Sequence, residues 1–149
     1  MNLNKQLIND FVNVTSDAAA SCYKHIGKDD KILADKSATD SMRKNLNNLN
    51  IDGKVVIGEG ELDEAPMLYI GEKLGTGKGP LVDIAVDPVE GTNFVAKNLP
   101  EALSVMSIAS KGNLFKAPGK FLATKFVPSS GSTAMSNSSP RFVPTFSSI

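Results

Sequence analysis

The chain has 149 residues, 41% of them hydrophobic and 21% charged, which gives room for one domain with a sizeable core and excludes a disordered or fibrous protein. Sixteen basic and 16 acidic residues cancel, so neither nucleic acid nor a membrane surface is expected as the main partner. No apolar run approaches a membrane span and no secretory leader pattern opens the chain, so the expected location is cytoplasmic. The acidic residues are not spread evenly: all 16 lie at or before Glu101, whereas five of the 16 Lys and Arg follow it. A lone Cys22 has no internal disulfide partner and sits in an Ala-rich helical pattern, where it reads as a small core residue.

Apolar residues Leu7, Ile8, Phe11, Val12, Ala18, Ala19 and Cys22 predict an amphipathic helix over about 4–26, with Gly27 as its stop. Met42, Leu46 and Leu49 predict a second helix over about 38–49. Between them, Lys28-Asp-Asp-Lys-Ile-Leu-Ala-Asp35 reads from its spacing as a solvated linker. Asp52-Gly53 is a turn signal, and residues 54–57 read as a short strand opening into Gly58-Glu-Gly-Glu61. That stretch reads equally as an acidic loop or as a source of oxygen ligands, Glu59 and Glu61, for a divalent cation. A helix is expected over about 64–74. Gly75-Thr-Gly-Lys-Gly79 fails the P-loop test, since Glu72 and Gly79 stand where Gly and Ser or Thr are needed, and reads as a flexible connection.

The stretch around which the rest is arranged is Val82-Asp-Ile-Ala-Val-Asp-Pro-Val-Glu-Gly-Thr92. Branched apolar residues predict a buried strand that ends at Pro88, which cannot donate to a ladder. Gly91 allows close backbone approach, and a helix beginning after it would offer free N–H groups to phosphate. Two carboxylates, a hydroxyl and a helix start within six residues suit a site for divalent metal and phosphate. Residues 102–109 read as a further strand, Lys111-Gly-Asn113 as a turn, and Leu114-Phe115 as the start of a hairpin partner. His25 has no Cys or His cluster around it, which leaves no ligand set for zinc, and nothing resembles a nucleophile elbow. From Pro128 onward, eight serines, three prolines and no acidic residue predict a disordered or weakly packed tail. The expected division is therefore 1–127 and 128–149.

Asp87-Pro-Val-Glu-Gly-Thr92 resembles the Asp-Pro-Ile/Leu-Asp/Glu-Gly-Thr/Ser signature of the lithium-sensitive, metal-dependent sugar and inositol phosphatases. The run from Val56 to Gly75, with Gly58-Glu-Gly-Glu-Leu-Asp-Glu-Ala-Pro at its centre, is similar to class II fructose-1,6-bisphosphatases, some of which also take sedoheptulose-1,7-bisphosphate. The resemblance covers about residues 3–125 and disfavours an inositol monophosphatase. It implies an α/β sugar-phosphatase fold with N-terminal helices on a mixed sheet, here incomplete, and a homo-oligomer in the full-length family. It reverses the linker reading of Asp35 and implies Asp35, Glu59, Asp87 and Glu90 as ligands of Mn²⁺ or Mg²⁺. It further implies Glu90, Gly91 and Thr92 as substrate-binding, and Thr92 with Asp35 as the catalytic pair that orients or activates the attacking water.

The departures from the family concern its second half. A Lys-Pro-Arg segment, an Asp-Gly-Asp segment and a further metal-binding Glu are not found, and Phe121 stands where the family has a substrate-contacting Tyr. The expectation is thus an N-terminal fragment, a truncated product or a change of frame after about Lys125. Its function class is a metal-dependent fructose-1,6-bisphosphatase, with a non-catalytic metal-binding or oligomerising fragment as the alternative.

Overall fold

The computed structural model describes residues 5–59 and 67–114. Phe121, the Ser/Pro-rich tail and all but the first residue, Leu114, of the expected hairpin partner lie outside the described residues, as does Glu61. In chain order the elements are α1 (Lys5–Cys22), a single 3₁₀ turn (Tyr23–His25), α2 (Lys31–Asn47), β1 (Asp52–Ile57), β2 (Lys73–Leu74), β3 (Leu81–Glu90), α3 (Thr92–Ala96) and β4 (Leu103–Ser110). The strands form one sheet in the order β2-β1-β3-β4. β1 and β3 are parallel, and the two outer pairings are antiparallel. The expected α/β class, with N-terminal helices on a mixed sheet, is what the chain builds.

Helix α1 presents Phe11, Val14, Ala18 and Cys22 to the core, and α2 presents Ala34, Ala38, Met42 and Leu46 at every fourth position. That stripe makes α2 amphipathic despite its polar composition. Its small end, Ala34 and Ala38, lets α1 approach closely enough for the Cys22 thiol to reach the Ala34 carbonyl at 3.4 Å. Burial pushes the Cys22 thiol up to about 11, so it is inert core, as its setting in the sequence suggests. Beneath the helices lie Ile51, Val55, Val82, Ile84, Val86 and Met106 of the sheet layer.

Four local expectations are corrected. The Lys28–Asp35 stretch is not a linker: α2 begins at Lys31, because the Asp30 side chain accepts the Leu33 N–H at 2.9 Å as an N-cap. Asp35 is therefore a helical residue, and the helix predicted over 38–49 begins a full two turns earlier and ends at Asn47. Residues 67–74 are not helical; they turn and pair as β2, with the Val55 N–H donating to the Glu72 carbonyl and the Gly71 N–H to the Val55 carbonyl. The Gly75–Gly79 stretch is tied down, its N–H groups at Thr76 and Gly77 donating to the carbonyls of Leu49 and Ile51. Finally, β3 runs through Pro88 to Glu90, since the register with β4 slips between Asp87 and Glu90 and the bulge needs no N–H there.

His25 is buried at 6% exposure, its Nε2 lying 2.7 Å from the Ser37 hydroxyl and its Nδ1 without a hydrogen-bond partner. Burial, then the charges of Lys24 and Lys28, hold its pKa below the ordinary 6.5 against the opposing pull of Asp30. The folded chain thus favours the neutral ring, and the unfolded chain takes the proton more readily. The stability this contributes is complete above about pH 6.5 and is lost as the pH falls below it. Thermal melts from pH 7.5 to about 5 are expected to show the His25→Gln midpoint gaining on that of the wild type as the pH falls, so that the two proteins follow pH with different slopes. An identical slope in the two proteins would remove His25 from that account.

Candidate functional site

The expected site residues from Asp35 to Thr92 are held by several pieces of the fold. Asp35 projects from the second turn of α2. The start of that helix is pinned to α3 through Gly27 N–H to the Val95 carbonyl, 3.0 Å, and Asp29 N–H to the Ala96 carbonyl, 2.9 Å. Glu59 follows β1, its N–H bonded to the Leu68 carbonyl at 3.0 Å. Asp87 and Glu90 come from the bulged end of β3, and Thr92 is the first residue of α3. Gly91 between them has φ 86°, and a Cβ there would lie 2.7 Å from the Phe94 ring, so the turn from β3 into α3 requires glycine. The Gly91 carbonyl accepts the Phe94 N–H at 2.8 Å and starts the helix. At five residues α3 has little macrodipole, and any anion there would meet individual N–H groups instead.

Asp35, Glu59, Asp87 and Glu90 share one electrostatic environment. The Glu59 carboxyl is pushed up to about 7 by burial first and the charge of Asp35 next, with Glu90 adding and the contact with Asp87 opposing. Asp87 is pushed up to about 8 by burial first, then by its contacts with Glu90 and Glu59. Burial also raises Asp35. Asp35 Oδ1, Glu59 Oε2 and Asp87 Oδ1 are each shut away from solvent without a hydrogen-bond donor. Carboxylates are acceptors only, so the contacts among Glu59, Asp87 and Glu90 become hydrogen bonds only when one of them carries a proton. Nature rarely leaves three such oxygens without a partner. Glu90 itself is exposed, and Gly91 and Thr92 are half-buried.

The donor chemistry fits a hard divalent cation, being oxygen throughout and negatively charged. Among the described residues, however, no three acidic, His or Cys side chains already stand as a metal-binding group. The orphaned oxygens supply the fit; the spacing of a bound state is not set in advance. Thr39 and Ser104 also bury hydroxyls without partners.

Two long-range pairings, one beside Glu59 and one at the far end of β3, are invisible to motif reading. Arg43 of α2 donates from Nε to Glu72 Oε1 at 2.7 Å and from Nη2 to Glu72 Oε2 at 3.2 Å and to the Met67 carbonyl. Asp83, buried in β3, accepts the Gly112 N–H at 2.6 Å and ties down the turn after β4. Each pairing joins residues 29 positions apart, so no local spacing announces it.

A sequence model of the bacterial, glpX-encoded fructose-1,6-bisphosphatases matches residues 5–137. The match runs on past the point near residue 125 where the motif resemblance is lost. Over 120 residues the chain is 51% identical to fructose-1,6-bisphosphatase 1 class 2 of Escherichia coli strain K12, covering 80% of this chain and 36% of that protein. The class 2 enzyme of Haemophilus influenzae is 46% identical over the same shares. The D-fructose 1,6-bisphosphatase class 2/sedoheptulose 1,7-bisphosphatase of Synechococcus sp. strain CC9902 is 45% identical over 126 residues, 85% of this chain and 38% of that protein. The chain thus spans little more than a third of the length of the curated relatives it matches. No helix of the described residues is long and apolar enough to cross a membrane. Over most of its length, and through every candidate site residue from Asp35 to Thr92, the chain belongs to the family of bacterial class 2 fructose-1,6-bisphosphatases.

Proposed function

We propose that this chain supplies the metal-binding part of a phosphatase of the sugar-phosphatase superfamily, one that removes the 1-phosphate of fructose-1,6-bisphosphate. The observation that carries the proposal is the group of buried, donorless carboxylate oxygens on Asp35, Glu59 and Asp87, brought together from three separate segments. Asp35, Glu59, Asp87 and Glu90 would hold Mn²⁺ or Mg²⁺. Such ions, when bound, neutralise phosphate charge and make water nucleophilic at neutral pH. The chain's own groups do the rest. The main-chain groups of Gly91 and Thr92 receive the phosphate oxygens, and the Thr92 hydroxyl, with Asp35, orients the water for in-line attack. Sedoheptulose-1,7-bisphosphate is a second substrate of the same chemical class, supported by the names of the Synechococcus relatives.

A graft tests the whole reading. Placing residues 5–124 of this chain over the matching segment of the Escherichia coli relative should give a protein that releases phosphate from fructose-1,6-bisphosphate in the presence of Mn²⁺. Thr92→Val in that protein keeps the volume and removes the hydroxyl, and turnover is expected to fall about a hundredfold, as for a positioned catalytic group. A folded graft with no divalent-dependent turnover would refute the assignment, and full turnover by the Val variant would reduce Thr92 to an ordinary first-turn residue. The second reading is a metal-binding piece without turnover of its own. On that reading the 149-residue chain alone binds Mn²⁺ yet releases phosphate only in traces, because remote sugar and phosphate contacts also place the scissile group.

A further inference from the structure

The Arg43–Glu72 pair lies between the two segments that carry Asp35 and Glu59, and its geometry is that of a strut. Arg43 sits on α2 eight residues after Asp35, about 12 Å along the helix axis. Its guanidinium takes both oxygens of a Glu72 carboxylate that is only 8% exposed. The same fork also donates to the Met67 carbonyl. Glu72 in turn accepts the Tyr69 N–H at 3.3 Å. The stretch 67–72 gripped in this way carries Leu68, whose carbonyl receives the Glu59 N–H, and Glu72, whose carbonyl receives the Val55 N–H. Helix, strut and the returning stretch thereby form a closed mechanical loop with Asp35 on one side and Glu59 on the other.

From this we infer that Arg43 and Glu72 are positioning residues for the acidic site, limiting how far Glu59 can move relative to Asp35 by tying the stretch 67–72, which receives the Glu59 N–H, to α2. The inference rests on the metal reading given above and deepens it. In this role Arg43 and Glu72 act through the Leu68–Glu59 bond and not as ligands themselves. Planar, bidentate pairing suits the task, since it fixes direction as well as distance, and lysine could not reproduce it. Two of the three carboxyls that bury an orphaned oxygen, on Asp35 and Glu59, belong to the two segments that the strut joins.

A merely structural role makes a different forecast, and a double substitution separates the two. Arg43→Met alone leaves the Glu72 charge buried and unpaired, so the variant is expected to be badly destabilised on any account. Arg43→Met with Glu72→Met removes both charges and keeps apolar volume, an exchange that commonly preserves stability. The full chain carrying both substitutions is expected to melt within a few degrees of wild type. Titrated with Mn²⁺ alone in a calorimeter, it is expected to bind tenfold to a hundredfold more weakly, the usual cost of losing groups that orient ligands. Amide exchange at Glu59 should quicken without metal, whereas exchange in the α1 core should not. Arg43→Lys, which keeps the charge but not the fork, should show the same weakening in reduced degree. Wild-type binding of Mn²⁺ retained at full affinity by the double variant, or unchanged exchange at Glu59, would overturn the inference alone. Absence of Mn²⁺ binding by the wild-type chain would overturn the metal reading and this inference with it.

Discussion

Asp87→Asn is expected to raise the melting temperature of the metal-free chain while lowering its affinity for Mn²⁺ more than about a hundredfold, beyond what loss of a merely orienting group costs. The two effects have one cause. Asp87 is pushed from its ordinary 3.8 up to about 8 by burial and by its contacts with Glu90 and Glu59. A carboxyl whose folded value is raised contributes stability that is complete below its unfolded value and is lost as the pH climbs through the folded one. Metal-free wild type should therefore lose stability across the interval from about pH 4 to about 8, with Glu59, raised to about 7, adding to the slope. Asparagine carries no charge at any of these values, so its advantage should be greatest near pH 8 and should shrink toward pH 5. Excess Mn²⁺ should reverse the order, because binding only to the folded state stabilises it and the amide is the poorer ligand. Melts of both proteins at the two pH values, with and without the ion, give the readout. A variant less stable than wild type at pH 8 without metal would show Asp87 to be an ordinary structural carboxylate.

That antagonism between stability and ligation is the mark the sequence leaves only indirectly. The 82–92 stretch declares a strand, a glycine turn and two carboxylates at the strand end by itself, and each is present: β3, Gly91 at positive φ, and Asp87 with Glu90 at the bulge. Asp35 declares nothing. Three Asp and two Lys in the eight residues 28–35 look solvated because charge alternation and helix capping use the same residue types. Only the bond from Asp30 to the Leu33 N–H decides between them. A capping box would have given the start away, but the N3 position holds Leu33 instead of Glu or Gln. The 64–74 expectation failed for the opposite reason. Met67, Leu68 and Ile70 have helical spacing, yet the stretch that follows them is claimed by ladder bonds to β1 and by the Arg43 fork. Tertiary partners outweigh a propensity worth tenths of a kcal/mol per residue. Periodicity thus finds the elements whose partners are solvent and core, and loses those whose partners are single distant side chains.

Gly58 is where these levels meet, and Gly58→Ala is expected to be strongly destabilising. A Cβ at that position would lie 2.3 Å from the Leu68 carbonyl oxygen and 2.8 Å from Val55 Cγ1. Both neighbours are fully buried, and the carbonyl belongs to a backbone held by its bond from Glu59 N–H. The added methyl must therefore move main chain and cannot simply turn a side chain aside. Overpacking against a rigid wall costs about 3 kcal/mol, at the upper end of the usual range. For a domain of this size that lowers the melting temperature by about 10 °C. Gly53→Ala supplies the comparison. Its Cβ would come within 2.7 Å of Ile84 Cδ1, the far end of a side chain that can shift, and no closer than 3.0 Å to a backbone oxygen. It should cost markedly less. The functional consequence also differs between the two, because Gly58 adjoins Glu59 whereas Gly53 lies at the opposite end of β1. Gly58→Ala should weaken Mn²⁺ binding even at temperatures where the variant is fully folded, and Gly53→Ala should leave it near wild type. Gly58 then serves approach rather than flexibility: it is small so that Leu68 can come close enough to hold Glu59 in place. Equal melting temperatures for Gly58→Ala and wild type would mean that the backbone around Leu68 yields freely, and the rigid seating of Glu59 would fall with it.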